Sequence, residues 1–297
     1  TPLQAPVFKA LTAQVQDKLA VKVEATDLCG RFSGRVVKGV NPKAQTPAWM
    51  VERLARCGQR SVSPLVDISN YVMFEFGRPS HIFDLDKIHG GLQVRWGRQE
   101  ESLKLLNGNT VTVDDKVGVI SDDSQVESLA GIMGGLHSGI QDDTTDVLIE
   151  SAYFTPTGIR RTSKSLALRT DASYRFERGA DVQAAESASR RCVQLLLEVA
   201  GGTLSGAAVD AFPTPPQVKE LTLRHDRAQV VLGVEIPSET QAQFLSGLGL
   251  EEVGQGSRSG SATSVWRVPS WRVDLKREVD LVEEVARLFG VDRIPST

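Results

Sequence analysis

The chain has 297 residues, of which 40% are hydrophobic and 24% charged, a balance ordinary for a soluble globular protein of about two domains. No apolar run approaches the roughly 20 residues that span a bilayer, and no charged-then-apolar leader opens the chain. The three cysteines, Cys29, Cys57 and Cys192, lie far apart without C-x-x-C spacing, which argues against a disulfide framework or a zinc site and fits a reducing cytoplasm. A net charge of −3 means that a nucleic acid would have to be met by a local basic patch. Thr1 stands where a methionine would open a complete chain, which predicts a fragment.

Residues 1–24 lack clear periodicity and are expected to form a connecting segment. Pro47 to Cys57 reads as a helix, with Trp49, Leu54 and Cys57 punctuating a charged face and Gly58 at the capping position. Leu65 to Phe76 is largely apolar, with Asn70 inside it. Leu92 to Trp96 alternates like a strand, as does Thr110-Val111-Thr112-Val113 after the turn Asn107-Gly108-Asn109. Val117 to Ile120 and Val147 to Ile149 read as further strands, and Val182 to Ala200 as a long helix ended by Gly201-Gly202. Phe212-Pro213-Thr214-Pro215-Pro216 is an extended linker. Beyond it come a strand (Glu220 to Leu223) and a helix from Ser238 to Gly247, with Ser238 as N-cap and Gln241 at the capping-box spacing. The Gly- and Ser-rich stretch Gly254 to Ser264 reads as a mobile loop, followed by a strand to Pro269 and a helix from Val279 to Phe289 closed by Gly290. Strands and helices without regular βαβ spacing predict an α+β fold. The boundaries are 25–210 for a central domain of mixed sheets and helices, 211–216 for the linker and 217–297 for a smaller α+β domain.

Several segments carry polar groups out of keeping with a plain core. His81 follows Pro79, whose fixed φ limits the local backbone. Glu150 sits at the end of the apolar strand Val147-Leu148-Ile149, where a carboxylate is costly unless paired or facing a pocket. Gly131, Gly134, Gly135 and Gly139 surround a turn that a ligand can approach closely. Thr170 and Ala172 share a face if that segment is extended. Arg60, Arg160, Arg161, Arg169, Arg175 and Arg178 are candidate phosphate contacts. A structural histidine, an ion-paired glutamate, a simple glycine turn and a solvated salt-bridged face are the competing readings. No nucleophile elbow, P-loop or H-E-x-x-H is present. Near the C-terminus, Asp280, Glu283 and Glu284 fall at i, i+3 and i+4 beside an apolar stripe of Leu281, Val285 and Leu288. Acids in a first helical turn suit the helix dipole without further purpose.

Asp67-Ile68-Ser69-Asn70-Tyr71-Val72, the run Gly77 to Asp84, Ile149-Glu150-Ser151-Ala152 and the run Leu168 to Gly179 together resemble the editing module of the bacterial phenylalanyl-tRNA synthetase beta chain. Pro269 to Asp274 and Asp280 to Arg287 continue the resemblance in family order. The resemblance implies hydrolysis of tyrosine mistakenly attached to phenylalanine tRNA, with Arg60, Asn70, Pro79, His81, Gly134, Glu150, Thr170 and Ala172 on editing-pocket positions. Since the chain is net acidic, contact with the tRNA polyanion falls to a local group of arginines, with Arg60, Arg169 and Arg175 as candidates, and the resemblance offers Asp274, Asp280, Glu283 and Glu284 as carboxylates for a magnesium shared with an alpha chain. Hard oxygen ligands suit that ion. ATP would enter only through the alpha chain, in a cytoplasmic heterotetramer of two alpha and two beta chains with no membrane partner. The alternatives are a non-catalytic scaffold for tRNA and the alpha chain, and a free-standing trans-editing protein. Leu136 departs from the family, many of whose members carry an acid at this place in a Gly-Glu-His-Ser-Gly run.

Overall fold

The computed structural model describes residues 19–258 and 260–295. The expected connecting segment 1–24 lies mostly outside them, but its end is no connector: strand β1 (Val21–Val23) pairs in parallel with Leu92–Val94. Strand β2 (Cys29–Lys38) is buried along almost its whole length. Helix α1 (Ala48–Arg56) stops at Cys57, and Gly58 takes the positive φ of +78° that turns the chain away. Helix α2 (Pro64–Phe76) has proline in its first turn and ends at Gly77 in the left-handed conformation. Its start is held by buried Asp67, whose carboxylate accepts from Thr46 Oγ1 at 2.7 Å, Ser61 Oγ at 2.6 Å and the Val62 amide at 2.8 Å.

Then come β3 (His81–Asp84), β4 (Leu92–Trp96), the small hairpin β5 (Ser102–Lys104) and β6 (Thr110–Thr112), and β7 (Gly118–Ser121), β8 (Val126–Leu129) and β9 (Met133–Gly134). Strand β10 (Val147–Phe154) precedes α3 (Pro156–Ser165), α4 (Asp171–Phe176), α5 (Ala184–Val199) and β11 (Thr203–Ala211). Among the described residues these strands form two larger sheets, ordered β1-β4-β7-β8-β9 and β11-β2-β10-β3, besides the two-stranded β5-β6 hairpin.

Strand β10 explains how both faces of the second sheet are used. Alternate side chains point to opposite faces. Val147 and Ile149 enter a core with Leu65, Ile68, Val193 and Leu196 from α2 and α5. Leu148, Ala152 and Phe154 enter a second core with Val119, Ile120 and Leu129 of the five-stranded sheet. Fully burying one such side chain stabilises by about 1.5–3 kcal/mol. Glu150 therefore lies mid-strand, not at a strand end, on the face that points into the second core.

The chain divides into two compact units, the second beginning at Pro216. In that unit β12 (Lys219–Arg224), α6 (His225–Leu232), α7 (Ser238–Gly247), β13 (Glu251–Arg258), β14 (Ser261–Val268) and α8 (Glu278–Phe289) follow in turn. The sheet order is β12-β14-β13, around a core of Trp266, Leu223, Leu245, Leu281 and Val285. Two expectations need correction here. Ser238 is the first residue of α7, not its cap, and Gln241 turns inward to donate to the Ile236 carbonyl at 2.7 Å. The stretch expected to be a mobile loop is a β-hairpin, with Gln255 opposite Ser264 and Gly256 opposite Thr263. Strand β13 is an edge strand with a mostly exposed surface, so small polar residues suffice there.

Candidate functional site

Strand pairing creates the central feature. Strands β3 and β10 run antiparallel with His81 directly opposite Glu150. Directly opposed residues share a face, so the imidazole and the carboxyl project together into a cavity of 420 Å³. Asn70 of α2, Pro79, Gly134 of β9, Thr170 and Ala172 line it as well. Leu106, Met133 and Phe176 supply apolar wall. Arg60 is not among the lining residues; it is exposed on the segment between α1 and α2.

Among the described residues nothing satisfies either central group. Glu150 is 5% exposed, and among the described residues no hydrogen bond or ion pair meets its carboxyl. Burial pushes that carboxyl up to about 8, against an opposing pull from Arg78. His81 Nε2 is sealed from solvent and has no hydrogen-bond partner among the described residues. Desolvation lowers the ring to about 4. Near neutral pH the pair is therefore an uncharged carboxylic acid beside an uncharged imidazole. Polar groups buried without partners are rare and costly, so a ligand that supplies them gains what the protein leaves open.

Three devices hold the cavity open. A Cβ on Gly134 would come within 2.4 Å of the His81 ring, so only glycine lets the ring occupy its place. Gly131, at φ +68°, would press a Cβ to 2.7 Å from Phe154. Arg78, fully buried, donates to the carbonyls of Ala152 and Asp181 and steadies β10 from behind. Sequence reasoning missed Arg78; its place between Gly77 and Pro79, in a segment where a charge has no obvious solvent exit, was the only hint.

Thr170 and Ala172 do not lie on an extended segment as expected. Thr170 is the N-cap of α4: its hydroxyl accepts from the Ser173 amide at 3.0 Å and donates to the Ile132 carbonyl at 2.8 Å. The Thr-x-x-Ser capping box outweighs any extended preference. Ala172 then enters the cavity from the first turn of the helix.

The arginines divide by what they already hold. Arg175 bonds Asp171 and lies over the Phe74 ring at 4.6 Å. Arg178 bonds Glu177 and stacks on Tyr174. Arg160 reaches the Glu177 carbonyl. Arg60, Arg161 and Arg169 are exposed, and no described residue pairs with them.

The acidic residues of the second unit are not assembled for a metal. Arg272 sits between Asp274 and Glu284, at 2.6 Å and 2.9 Å. Arg287 also holds Glu284. Asp280, the third residue of α8, accepts the Lys276 and Arg277 amides, both at 2.7 Å, and so closes a capping box at the start of the helix. Glu283 is exposed. Among the described residues no group of three or more His, Cys, Asp or Glu side chains is placed to hold an ion. These carboxylates, committed to guanidinium and amide groups, do not fit a resident metal in this arrangement. Among the described residues no helix is long and apolar enough to cross a membrane.

Comparison with known proteins defines the class. The B3/4 domain model matches residues 28–201 and the tRNA synthetase B5 domain model residues 221–291. The chain belongs to the B3/4 domain family. Over 99% of its length it is 51% identical to the Phenylalanine--tRNA ligase beta subunit of Burkholderia mallei (strain ATCC 23344), and over 98% it is 50% identical to that of Cupriavidus pinatubonensis. It spans 36% of the length of each, so it corresponds to about a third of such a beta subunit. Among solved structures, an N-terminal fragment of the phenylalanyl-tRNA synthetase beta subunit from Pyrococcus horikoshii aligns with a TM-score of 0.41 at 15% identity, covering 96% of this chain and 77% of that one.

Proposed function

We propose that the cavity around His81 and Glu150 receives the side chain of tyrosine wrongly joined to phenylalanine tRNA, and that water hydrolyses the ester there. The chain would act in the cytoplasm as part of a phenylalanine--tRNA ligase of two alpha and two beta subunits. The carrying observation is the opposed, buried and unpartnered Glu150 and His81. A neutral carboxyl both donates to and accepts from a phenol. Phenylalanine would leave those groups unpaired, at about 1–3 kcal/mol each. Such a site rejects the ligand lacking a hydroxyl, whereas an apolar synthetic pocket cannot reject the one that adds it.

In this reading the chain's residues bind and orient. Glu150 and His81 meet the phenol, Ala172 leaves room for the ring, and the backbone at Gly134 lies close to the reacting end. The water is positioned there with help from a ribose hydroxyl of the tRNA. Exposed Arg60 and Arg169 are the first candidates for phosphate contact, with Arg175 behind them because it already holds Asp171. Magnesium and ATP belong to the synthetic reaction at an alpha subunit, and no step at this cavity uses them.

Calorimetry with free tyrosine and phenylalanine, joined to a deacylation assay on tyrosyl-tRNA of the phenylalanine isoacceptor, tests the proposal. Tyrosine alone should bind, and Glu150→Ala should lose both binding and hydrolysis. Equal binding of the two amino acids sinks it. Binding of tRNA without deacylation would favour the scaffold reading, which the guanidinium groups of Arg60, Arg161 and Arg169, unpaired among the described residues, also serve.

A further inference from the structure

The hairpin of β7 and β8 carries a second constellation, on the opposite side of β8 from the cavity. Ser128 of β8 lines the cavity; its neighbour Glu127 points the other way. The Glu127 side chain is fully buried, and its carboxylate meets His137 Nδ1 at 3.2 Å. At the hairpin turn the side chain of Asp122, also fully buried, meets His89 Nδ1 at 3.3 Å. The two imidazoles lie face to face, ring centres 6.5 Å apart and planes 23° from parallel. Both histidine side chains are open to solvent, 65% and 44% exposed.

The platform beneath them is tightly bonded. Asp122 Oδ1 accepts from the Ser124 and Gln125 amides at 2.7 and 2.8 Å. Gln125 Nε2 donates to Glu127 at 3.0 Å, so one residue links the two carboxylates, through its backbone amide and its side chain. The His89 amide bonds Asp122 at 2.8 Å, and the Asp123 amide returns a bond to the His89 carbonyl at 3.1 Å. The Gly135 amide bonds the Glu127 carbonyl at 2.7 Å, which fixes the loop that carries His137.

We infer that His89 and His137 form a two-imidazole site for a borderline transition-metal ion such as Zn²⁺ or Ni²⁺, with Asp122 and Glu127 as its outer shell. A carboxylate on one ring nitrogen selects the tautomer whose other nitrogen is a free lone pair, and it raises the basicity of that ligand. Glu127 bonds the His137 ring in this way, and Asp122 stands 3.3 Å from Nδ1 of the facing His89. Imidazole is a preferred ligand for such ions. With Zn–N bonds of about 2.0–2.1 Å, a ring centre lies roughly 3.2 Å from the ion, so a tetrahedral angle needs the centres to close to roughly 5 Å and both rings to turn until their Nε2 lone pairs, which lie in the ring planes, converge on one ion, with water in the open positions. Rotation of exposed side chains supplies that movement. The sequence hides the site because the histidines stand on separate loops, and the spacing of cysteines says nothing about a centre built from imidazoles. A bound ion would clamp the loop after β9 to the loop before β4, behind the wall that carries Gly134.

The test uses the untagged chain, stripped with a chelator and titrated with Zn²⁺ and with Ni²⁺ by calorimetry. One equivalent should bind. His89→Ala and His137→Ala should each weaken binding at least tenfold, and the double variant should lose little more than either single one, because both ligands serve one ion. Glu127→Gln should weaken it about 10–100-fold while circular dichroism stays unchanged. X-ray absorption of the nickel-loaded chain should show two imidazole ligands. Absence of binding, or binding kept in both single histidine variants, overturns the inference. So does saturation by inorganic phosphate with no response to metal, which would mark the rings as a cationic anion site. Tyrosine binding plays no part in any of these readouts.

Discussion

Glu150 and Glu284 are both buried carboxylic acids, and the protein treats them in opposite ways. At Glu284 burial works to raise the acid, but hydrogen bonds from Arg287 and Arg272 outweigh it and hold it low. At Glu150 burial acts against an opposing pull from Arg78 alone, and the group rises to about 8. The first acid is spent on holding its own unit together. The second is kept free and neutral, at a cost to folding, in a cavity large enough for a small ligand. A buried acid that the fold has already neutralised is a structural part, whereas one left waiting marks a site.

The strongest way to break this comparison is to fill the cavity. Ala172→Trp should abolish tyrosine binding and tyrosyl-tRNA hydrolysis while leaving the unfolding transition near that of the wild type. Unchanged hydrolysis would place the site elsewhere. Next in size, Arg272→Ala leaves Asp274 and Glu284 short of a partner and should lower the unfolding free energy by about 2 kcal/mol, discounted because the pair is not fully buried. Tyrosine affinity should not move. A loss too small to measure in denaturant melts would show that Glu284 does not depend on this arginine.

A smaller effect sharpens the comparison through pH. Folded Glu150 keeps its proton up to about 8, whereas the unfolded acid releases it near 4.5. Its contribution to stability is therefore complete below 4.5 and is lost as pH rises through 8. Unfolded His81 takes a proton below 6.5 and the folded ring only below about 4, so its effect runs the other way between those values. The two oppose each other from 4.5 to 6.5 and leave a net fall from 6.5 to 8. Denaturant titrations should show a loss of about 1 kcal/mol over that window, discounted from the roughly 1.4 kcal/mol per unit of linkage. Glu150→Gln should remove it. The mildest effect belongs to the surface: replacing Arg60 or Arg169 should each reduce the salt slope of tRNA binding by about one unit and spare tyrosine binding. An unchanged slope would move the tRNA track to another face.

Much of the helical framework was legible in the chain. Helices α1, α5 and α8 announce themselves through apolar spacing and the glycines after them, Gly58, Gly201 and Gly290. What escaped depends on partners distant in sequence. Strand β1 has three residues and gains its meaning from Leu92–Val94. The Gly- and Ser-rich run looked loose because its order comes from pairing across β13 and β14. At the cavity, the residue types were visible as motifs, but the opposition of His81 to Glu150 is a matter of strand register, and no local pattern states it. Thr170 departs from an extended segment for a local reason: with Ser173 it forms the capping box that starts a helix.

The single hydroxyl of Thr170 has a consequence of its own. It is a latch with two tongues, one in the helix that carries Ala172 and one in the chain just before Gly134. The opposing walls of the cavity are thus set to a common gauge by one oxygen atom. Valine, which matches threonine in shape, would release both tongues at once and keep the packing. The width of the slot would then be free to drift, and the chain would lose its sense of ligand size before it lost its fold.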